Sequence, residues 1–223
     1  GEAAGGELEA ILPAAAAVEL VHSFSLVHDD LPALDDDAER RGQPSVWAAY
    51  GEATAILAGD ALVAEAFRLA LACGADVALE LVEATLAMIG GQQRDLEGGH
   101  DLAELHRLKT GALFSASVMC GVRAAGLPED GHPPWRAFAG ELGLLFQVVD
   151  DILDEEGDAQ SLGKTAGKDR AAGKPTYTSL MSLSEARSLA QDLLAEAREA
   201  LAPFAERATR LREIADFIVG RRR

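Results

Sequence analysis

AVELVHSFSLVHDDLPALDDD, residues 17–37, joins an apolar helical stripe to a dense cluster of carboxylates. Ala17, Leu20, Val21, Phe24 and Val27 recur at helical spacing, with His22 and Ser25 among them. The stretch then packs Asp29, Asp30, Asp35, Asp36 and Asp37 into nine residues. Repulsion among five negative charges disfavours such a run in a folded interior. A hard cation such as Mg²⁺ reverses that sign, because carboxylate oxygens are its preferred ligands. One acidic run alone reads equally well as a solvated helix end. A second cluster, Asp150, Asp151 and Asp154, closes another apolar run far along the chain. Two such clusters point to a shared metal site.

Outward from these clusters, the chain reads as helices. Apolar residues make up 48% of its 223 residues and aromatic ones only 5%, with Ala and Leu dominant, which favours packed helices over sheets. Pro13 suits the first turn of the first long helix. Residues 51–72 form a strongly apolar segment, expected at the centre of the fold. Residues 77–89 form a further helix, followed by Gly90-Gly91-Gln92 and Asp95. Residues 102–108 are amphipathic, and Lys109-Thr110-Gly111 interrupts them before an apolar stretch at 112–122. Residues 135–153 carry Phe138, Leu142, Leu145, Phe146 and Val149 on one side, and 177–219 hold two or three amphipathic helices. No segment alternates as a strand does. The expected fold class is all-α: a single-domain bundle of about ten helices around a deep central cavity.

The net charge of −17 argues against binding nucleic acid through a basic surface. No run nears the roughly 20 apolar residues of a membrane span, so no stable membrane insertion is expected. Cys73 and Cys120 lie in apolar helical contexts and read as core thiols of a reducing compartment. With no signal peptide visible, a cytoplasmic location is expected.

The clusters also constrain the chemistry. Asp150 and Asp154 are four residues apart and share one helix face, with Asp151 to the side. On a straight helix Asp29 would share its face with Asp36 rather than Asp35, but Pro32 permits a kink. Mg²⁺ is usually held by one or two carboxylates together with substrate phosphates, so facing acidic clusters suggest a magnesium diphosphate. Arg40, Arg41, Lys109 and Lys164 each sit beside a cluster or a glycine and supply matching cations. The Gly- and Lys-rich segment 157–175 reads as an anion-binding lid.

The stretches HSFSLVHDDLPALDDDAERRGQP, ILAGDAL, GGQQRDL, HRLKTGAL, FQVVDDILD and LGKTAGKD followed by GKPTY run in order from residue 22 to residue 177. Together they resemble the trans-prenyltransferases of the polyprenyl diphosphate synthase family, most of all bacterial farnesyl diphosphate synthases. The resemblance implies the isoprenoid synthase fold, a homodimer and a trinuclear Mg²⁺ site. It puts Mg²⁺ on Asp29, Asp35 and Asp150, with Asp30, Asp151 and Asp154 in support, and so prefers Asp35 to Asp36. It implies that Arg40, Lys109 and Lys164 hold an allylic diphosphate, dimethylallyl or geranyl. Arg41 and His22 would face isopentenyl diphosphate, and Lys174 would lie near a diphosphate. Thr110 and Gln147 would stabilise the carbocation. An aromatic at Phe24, with Ser25 beside it, and the insertion Pro32-Ala33 go in this family with a fifteen-carbon product. Farnesyl diphosphate is therefore expected, with geranylgeranyl diphosphate as the alternative.

Two departures accompany the resemblance. The family's upstream Gly-Lys-x-x-Arg motif is absent, so one domain over 1–223 lacking its N-terminal helices is expected, and the chain is short between Leu71 and Ile89. A terpene cyclase would carry Asn, Ser/Thr and Glu in its second motif, and a squalene-type head-to-head synthase would space its acids differently. A non-catalytic subunit of a heteromeric synthase usually loses one aspartate cluster, and this chain keeps both.

Overall fold

The computed structural model describes residues 1–98, 101–160 and 176–221. Lys164, Lys174 and most of the expected lid lie outside the described residues. Within them the chain is helical: α1 (Leu8–Asp29), α2 (Val46–Tyr50), α3 (Glu52–Cys73), α4 (Ala75–Glu97), α5 (Leu102–His106), α6 (Ala112–Ala124), α7 (Pro133–Gln160), α8 (Tyr177–Leu180), α9 (Leu183–Ala200) and α10 (Thr209–Gly220). This is the expected all-α bundle, and one small antiparallel pair interrupts it. Strands β1 (Glu39–Arg40) and β2 (Gln43–Pro44) form the arms of the basic turn after the first cluster. Arg41 and Gly42 both have positive φ, at 54° and 75°, as a tight hairpin turn requires.

Helix α1 packs along α3 through small side chains: Ala14 and Ala17 meet a face of α3 bearing Ala55, Ala66 and Ala70, all buried. Ala14, Ala17, Ala66 and Ala70 form one apolar cluster with Val21, Phe24, Val77, Leu81, Met88 and Cys120. A second cluster joins Trp135, Phe138, Leu142, Leu145 and Val148 of α7 to Leu193, Leu194 and Ala197 of α9 and Ile218 of α10. Helix α6 lies between them. Its Ala116 and Cys120 face the first cluster, and its Met119 and Val122 face the second. A helix apolar on both faces is what such a position demands.

Several expectations change. Segment 51–72 is helical, but α3 is not central. It buries its small residues on α1 and leaves Ile56, Leu57 and Leu71 exposed, Leu57 at 68%. Apolarity all round a helix does not distinguish core burial from a face awaiting a partner. Helix α1 is long and apolar enough, by length and composition, to cross a membrane, contrary to expectation; here it is a packed helix whose Ala17 and Val21 are fully buried. Pro13 lies inside α1 and not in its first turn. Lys109-Thr110-Gly111 does not end a helix: Arg107–Gly111 form a π-helical segment linking α5 to α6. The shortness between Leu71 and Ile89 resolves into a single connecting residue, Gly74, between α3 and α4. Its φ of 126° is open to glycine and strained for other residues.

Candidate active site

A cavity of about 730 Å³ is bounded by α1, α4, the π segment, α6 and α7. Val18, Phe24, Met88, Leu113, Phe114 and Phe146 make much of its wall apolar, and Asp29, Arg41, Lys109 and Thr110 bring charge and polarity to it. Along α1 the lining runs from Val18 through His22 and Ser25 to Asp29, about 16 Å of helix at 1.5 Å per residue. The cavity is thus largely apolar, with Asp29, Arg41 and Lys109 where α1 ends and Glu19 at the other end of its α1 lining.

The first cluster leaves the helix as a coiled turn. Asp35 N–H donates to the Asp29 carbonyl (2.9 Å), Asp36 N–H to that of Leu31 (3.1 Å) and Asp37 N–H to that of Asp30 (3.1 Å). Pro32 has no N–H to place, and Asp36 takes φ 52°. The straight-helix projection toward Asp36 is overturned by this turn. Burial pushes the Asp29 carboxyl up to about 6, Lys109 and Arg40 oppose the rise, and the charges of Asp35 and Asp30 add to it. The Asp35 charge therefore bears on Asp29.

Asp30 is buried, 2% exposed, and accepts from Arg40: both oxygens lie 2.9 Å from Nε, and Oδ1 lies 2.6 Å from Nη2. That ion pair anchors the β1–β2 hairpin on the end of α1 through the Nε and Nη2 of Arg40, whose side chain stays 33% exposed. Arg41, the next residue, lines the cavity.

Lys109 and Thr110 reach the cavity from the π segment, where an extra residue per turn pushes side chains outward. Lys109 Nζ lies 2.6 Å from Asp95 Oδ2 on α4. The π segment and α4 come this close because residue 91 is glycine: a Cβ there would lie 2.6 Å from the Lys109 backbone nitrogen.

The second cluster stays on a straight helix. Asp151, 6% exposed, accepts from Tyr177 N–H at 2.7 Å and from Gln147 Nε2 at 3.3 Å. Gln147 Oε1 in turn accepts from Thr110 Oγ1 at 3.2 Å. Burial pushes Asp151 up to about 6, the Tyr177 and Gln147 hydrogen bonds oppose this, and Asp150 and Asp154 add to it. Asp150 is about half exposed, with Arg221 Nη2 3.8 Å away, and Asp154 is exposed. The Arg221 guanidinium lies over the Phe146 ring, 4.3 Å from its centroid.

Among the described residues no three carboxylate, imidazole or thiol groups converge into a metal cage. The donors are instead hard carboxylate oxygens in two places, one of them, Asp29, held in a setting that disfavours its charge. Both amide atoms of Gln92 are buried without a hydrogen-bond partner among the described residues, and Gln92 lines the cavity. This donor set fits a hard cation that draws its remaining oxygens from a bound ligand.

Of the site residues expected from sequence, the structure gathers Asp29, Asp30, Asp35, Arg40, Arg41, Lys109, Thr110 and His22 around the charged end of the cavity and along α1. Gln147 and Asp151 join them through Thr110. Sequence reasoning gave no role to Asp95, Gln92, His28 or Arg221. Asp95 and Gln92 stood within the GGQQRDL stretch, where an acid three residues after a glutamine was the available signal.

Comparison with known proteins follows the same lines. The sequence profile of the family described as polyprenyl synthetase matches residues 2–211. The chain is 44% identical to the farnesyl diphosphate synthase of Escherichia coli over 232 positions, covering 93% of this chain and 76% of that one. It is 41% identical to the geranylgeranyl diphosphate synthase of Cyanophora paradoxa over 237 positions, covering 99% and 79%. Two further relatives, probable farnesyl diphosphate synthases of Bradyrhizobium diazoefficiens and Sinorhizobium fredii, are spanned over 65% of their length. Among solved structures, a polyprenyl synthase from Caulobacter crescentus complexed with calcium and isoprenyl diphosphate superposes with a TM-score of 0.87 at 30% identity, over all of this chain and 82% of that one. An FPP/GFPP synthase from Zymomonas mobilis does so with 0.81 at 36%, over 97% and 78%. A family profile matched along almost the whole length, and relatives above 40% identity, establish that the chain belongs to the polyprenyl synthetase family and is a prenyltransferase.

Proposed function

We propose that the protein condenses isopentenyl diphosphate with dimethylallyl and geranyl diphosphates in a Mg²⁺-dependent reaction whose product is farnesyl diphosphate. The observation that carries this reading is the cavity itself: a largely apolar cavity with Asp29, Arg41 and Lys109 where α1 ends. Asp29, Asp35 and Asp150 would hold the metal, with Asp154 in support and Asp30 and Asp151 supporting from buried positions. The ions, when bound, neutralise the diphosphate and ease its departure. Lys109 and Arg41 add positive charge at the same end, while Lys164 and Lys174 keep the roles implied by the family resemblance. Thr110, which lines the cavity, and Gln147, bonded to it, would stabilise a developing allylic cation with their oxygens. The apolar wall excludes water that would quench that cation. With no protein base evident, the proton leaves with the released diphosphate.

Product length rests on Phe24, whose ring lines the tunnel one turn before His28. Relatives named for both farnesyl and geranylgeranyl products fit the chain comparably well, so the ring supports the shorter product. The exposed Leu79 and Leu86 on α4, with Ile56, Leu57 and Leu71 on α3, support a homodimer. A cytoplasmic, soluble setting completes the reading, supported by the packing of α1 in the core. The test is an assay of the full-length protein with isopentenyl diphosphate and each allylic primer. Fifteen-carbon product that vanishes with EDTA and returns with Mg²⁺ is expected, and Phe24→Ala should lengthen it. No condensation with any primer would overturn the function; twenty-carbon product from the parent would overturn the length.

A further inference from the structure

Helix α3 lies tight against α1 at Gly59. A Cβ placed on Gly59 would lie 2.1 Å from His28 Nε2 and 2.3 Å from its Cδ2. The imidazole therefore fills the volume that any side chain at 59 would need. His28 Nε2 lies 3.1 Å from the Ile56 carbonyl oxygen, so Nε2 carries the proton and donates it. Ile56 is one turn before Gly59, and a bare residue 59 is what leaves that carbonyl within reach. On its other side the His28 ring meets the Phe24 ring edge-on, with centroids 5.0 Å apart and planes at 74°. His28 and Phe24 both line the tunnel, whereas no α3 residue does.

We propose that Gly59 and His28 are specificity-determining positioning residues: the gap at Gly59 seats the imidazole, and the imidazole holds the Phe24 ring across the tunnel. Helix α3 thereby sets product length from behind the wall. The inference rests on the reading of Phe24 as the tunnel floor.

The two residues make opposite predictions. His28→Ala removes the support, lets the Phe24 ring turn aside and raises the twenty- to fifteen-carbon product ratio about fivefold or more, within the range that one or two methylenes of pocket space command. Gly59→Ala drives the imidazole off α3 into the tunnel and raises the share of ten-carbon product about threefold. In the double variant the new methyl meets no ring, so its ratio matches that of His28→Ala alone, a non-additivity of about threefold. The experiment uses the full-length protein with isopentenyl and dimethylallyl diphosphates at low conversion. Products are resolved by chromatography, and melting temperature is recorded for every variant. A merely structural role lowers melting temperature and rate without moving the ratio, and that result overturns the proposal. So does a double variant in which the Gly59→Ala shift persists without His28. If Gly59→Ala does not fold, the ratio from His28→Ala decides alone. Lengthening by Phe24→Ala with no change from His28→Ala sinks this inference and spares the floor; no lengthening by Phe24→Ala sinks both.

Discussion

The two aspartate clusters look alike in sequence and differ in the fold. In each, one aspartate of the adjacent pair is buried in a structural bond, while its neighbour, Asp29 or Asp150, is only partly buried. Asp30 is neutralised by a full cation, Arg40, in a bidentate pair. Asp151 is held by two uncharged donors, Tyr177 N–H and Gln147. The first cluster coils around Pro32, so that Asp35 bears on Asp29. The second stays helical, and its outer members keep their four-residue spacing on one face. In each doubled aspartate one member anchors the helix end, and the other is the proposed metal ligand.

The largest effects belong to the outward aspartates. Asp29→Ala or Asp150→Ala should lower turnover by about 10³-fold or more, because stabilisation of the leaving charge is lost. Circular dichroism should still report the parent's helicity, since removing a member of a repelling cluster relieves strain. Near-parental turnover of either variant at saturating Mg²⁺ would break the assignment.

The π segment bridges the clusters, with Lys109 bearing on Asp29 and Thr110 bonded to Gln147. Gly91→Ala would force a methyl group against the Lys109 backbone. A displacement of that order should cost about 10²-fold in turnover, with the diphosphate-releasing step most affected. Unchanged kinetics would show that the bridge is not needed.

Stability separates the inward pair. Asp30→Asn leaves the partly exposed Arg40 guanidinium without its anion and should cost about 2 kcal/mol in urea denaturation, less than for a fully buried pair. Asp151→Asn keeps a group that accepts from Tyr177 N–H and should cost about 1 kcal/mol. Equal costs would erase the distinction between charged and neutral anchoring.

The smallest effect is in pH dependence. Asp29 and Asp151 both sit at about 6 in the fold against an ordinary 3.8, so the folded state binds more protons than the unfolded chain between those values. Each group's contribution to stability therefore falls as pH rises from about 4 to about 6 and stays lost above. Without divalent cation, Asp29→Asn and Asp151→Asn should each flatten that fall by on the order of 1 kcal/mol. Added Mg²⁺ should cancel the Asp29 part and leave the Asp151 part, whose carboxylate is turned to Tyr177. Thermal melts across that range, with and without Mg²⁺, read both.

Much of the fold was legible because helical periodicity is local. Residues 51–72 and 135–153 were bounded to within a few residues at most ends, although α7 runs on past Leu153 to Gln160. The misreadings have one cause each. The apolar α3 was placed at the centre because composition reports the need for cover and not its source. The glycine of Lys109-Thr110-Gly111 looked like a break because the π segment it belongs to is held by contacts with α4 and α7, at Gly91 and at Gly143. The Arg40–Asp30 pair was not legible because the two residues are ten apart across a turn whose shape depends on Pro32 and on Asp36 at positive φ.

By itself the sequence determined the residue types of the site and the helices that carry them: two acidic clusters closing apolar helices, cations beside them, and an aromatic one turn before His28. Those follow from spacing along a single helix, which obeys 3.6 residues per turn wherever it lies. Only the tertiary structure decided which aspartate of each pair faces inward, which cation is already paired, and that Gly59 and Gly91 bring helices against His28 and Lys109. Such choices are made by approach distances between segments far apart in the chain, and close packing leaves them no slack.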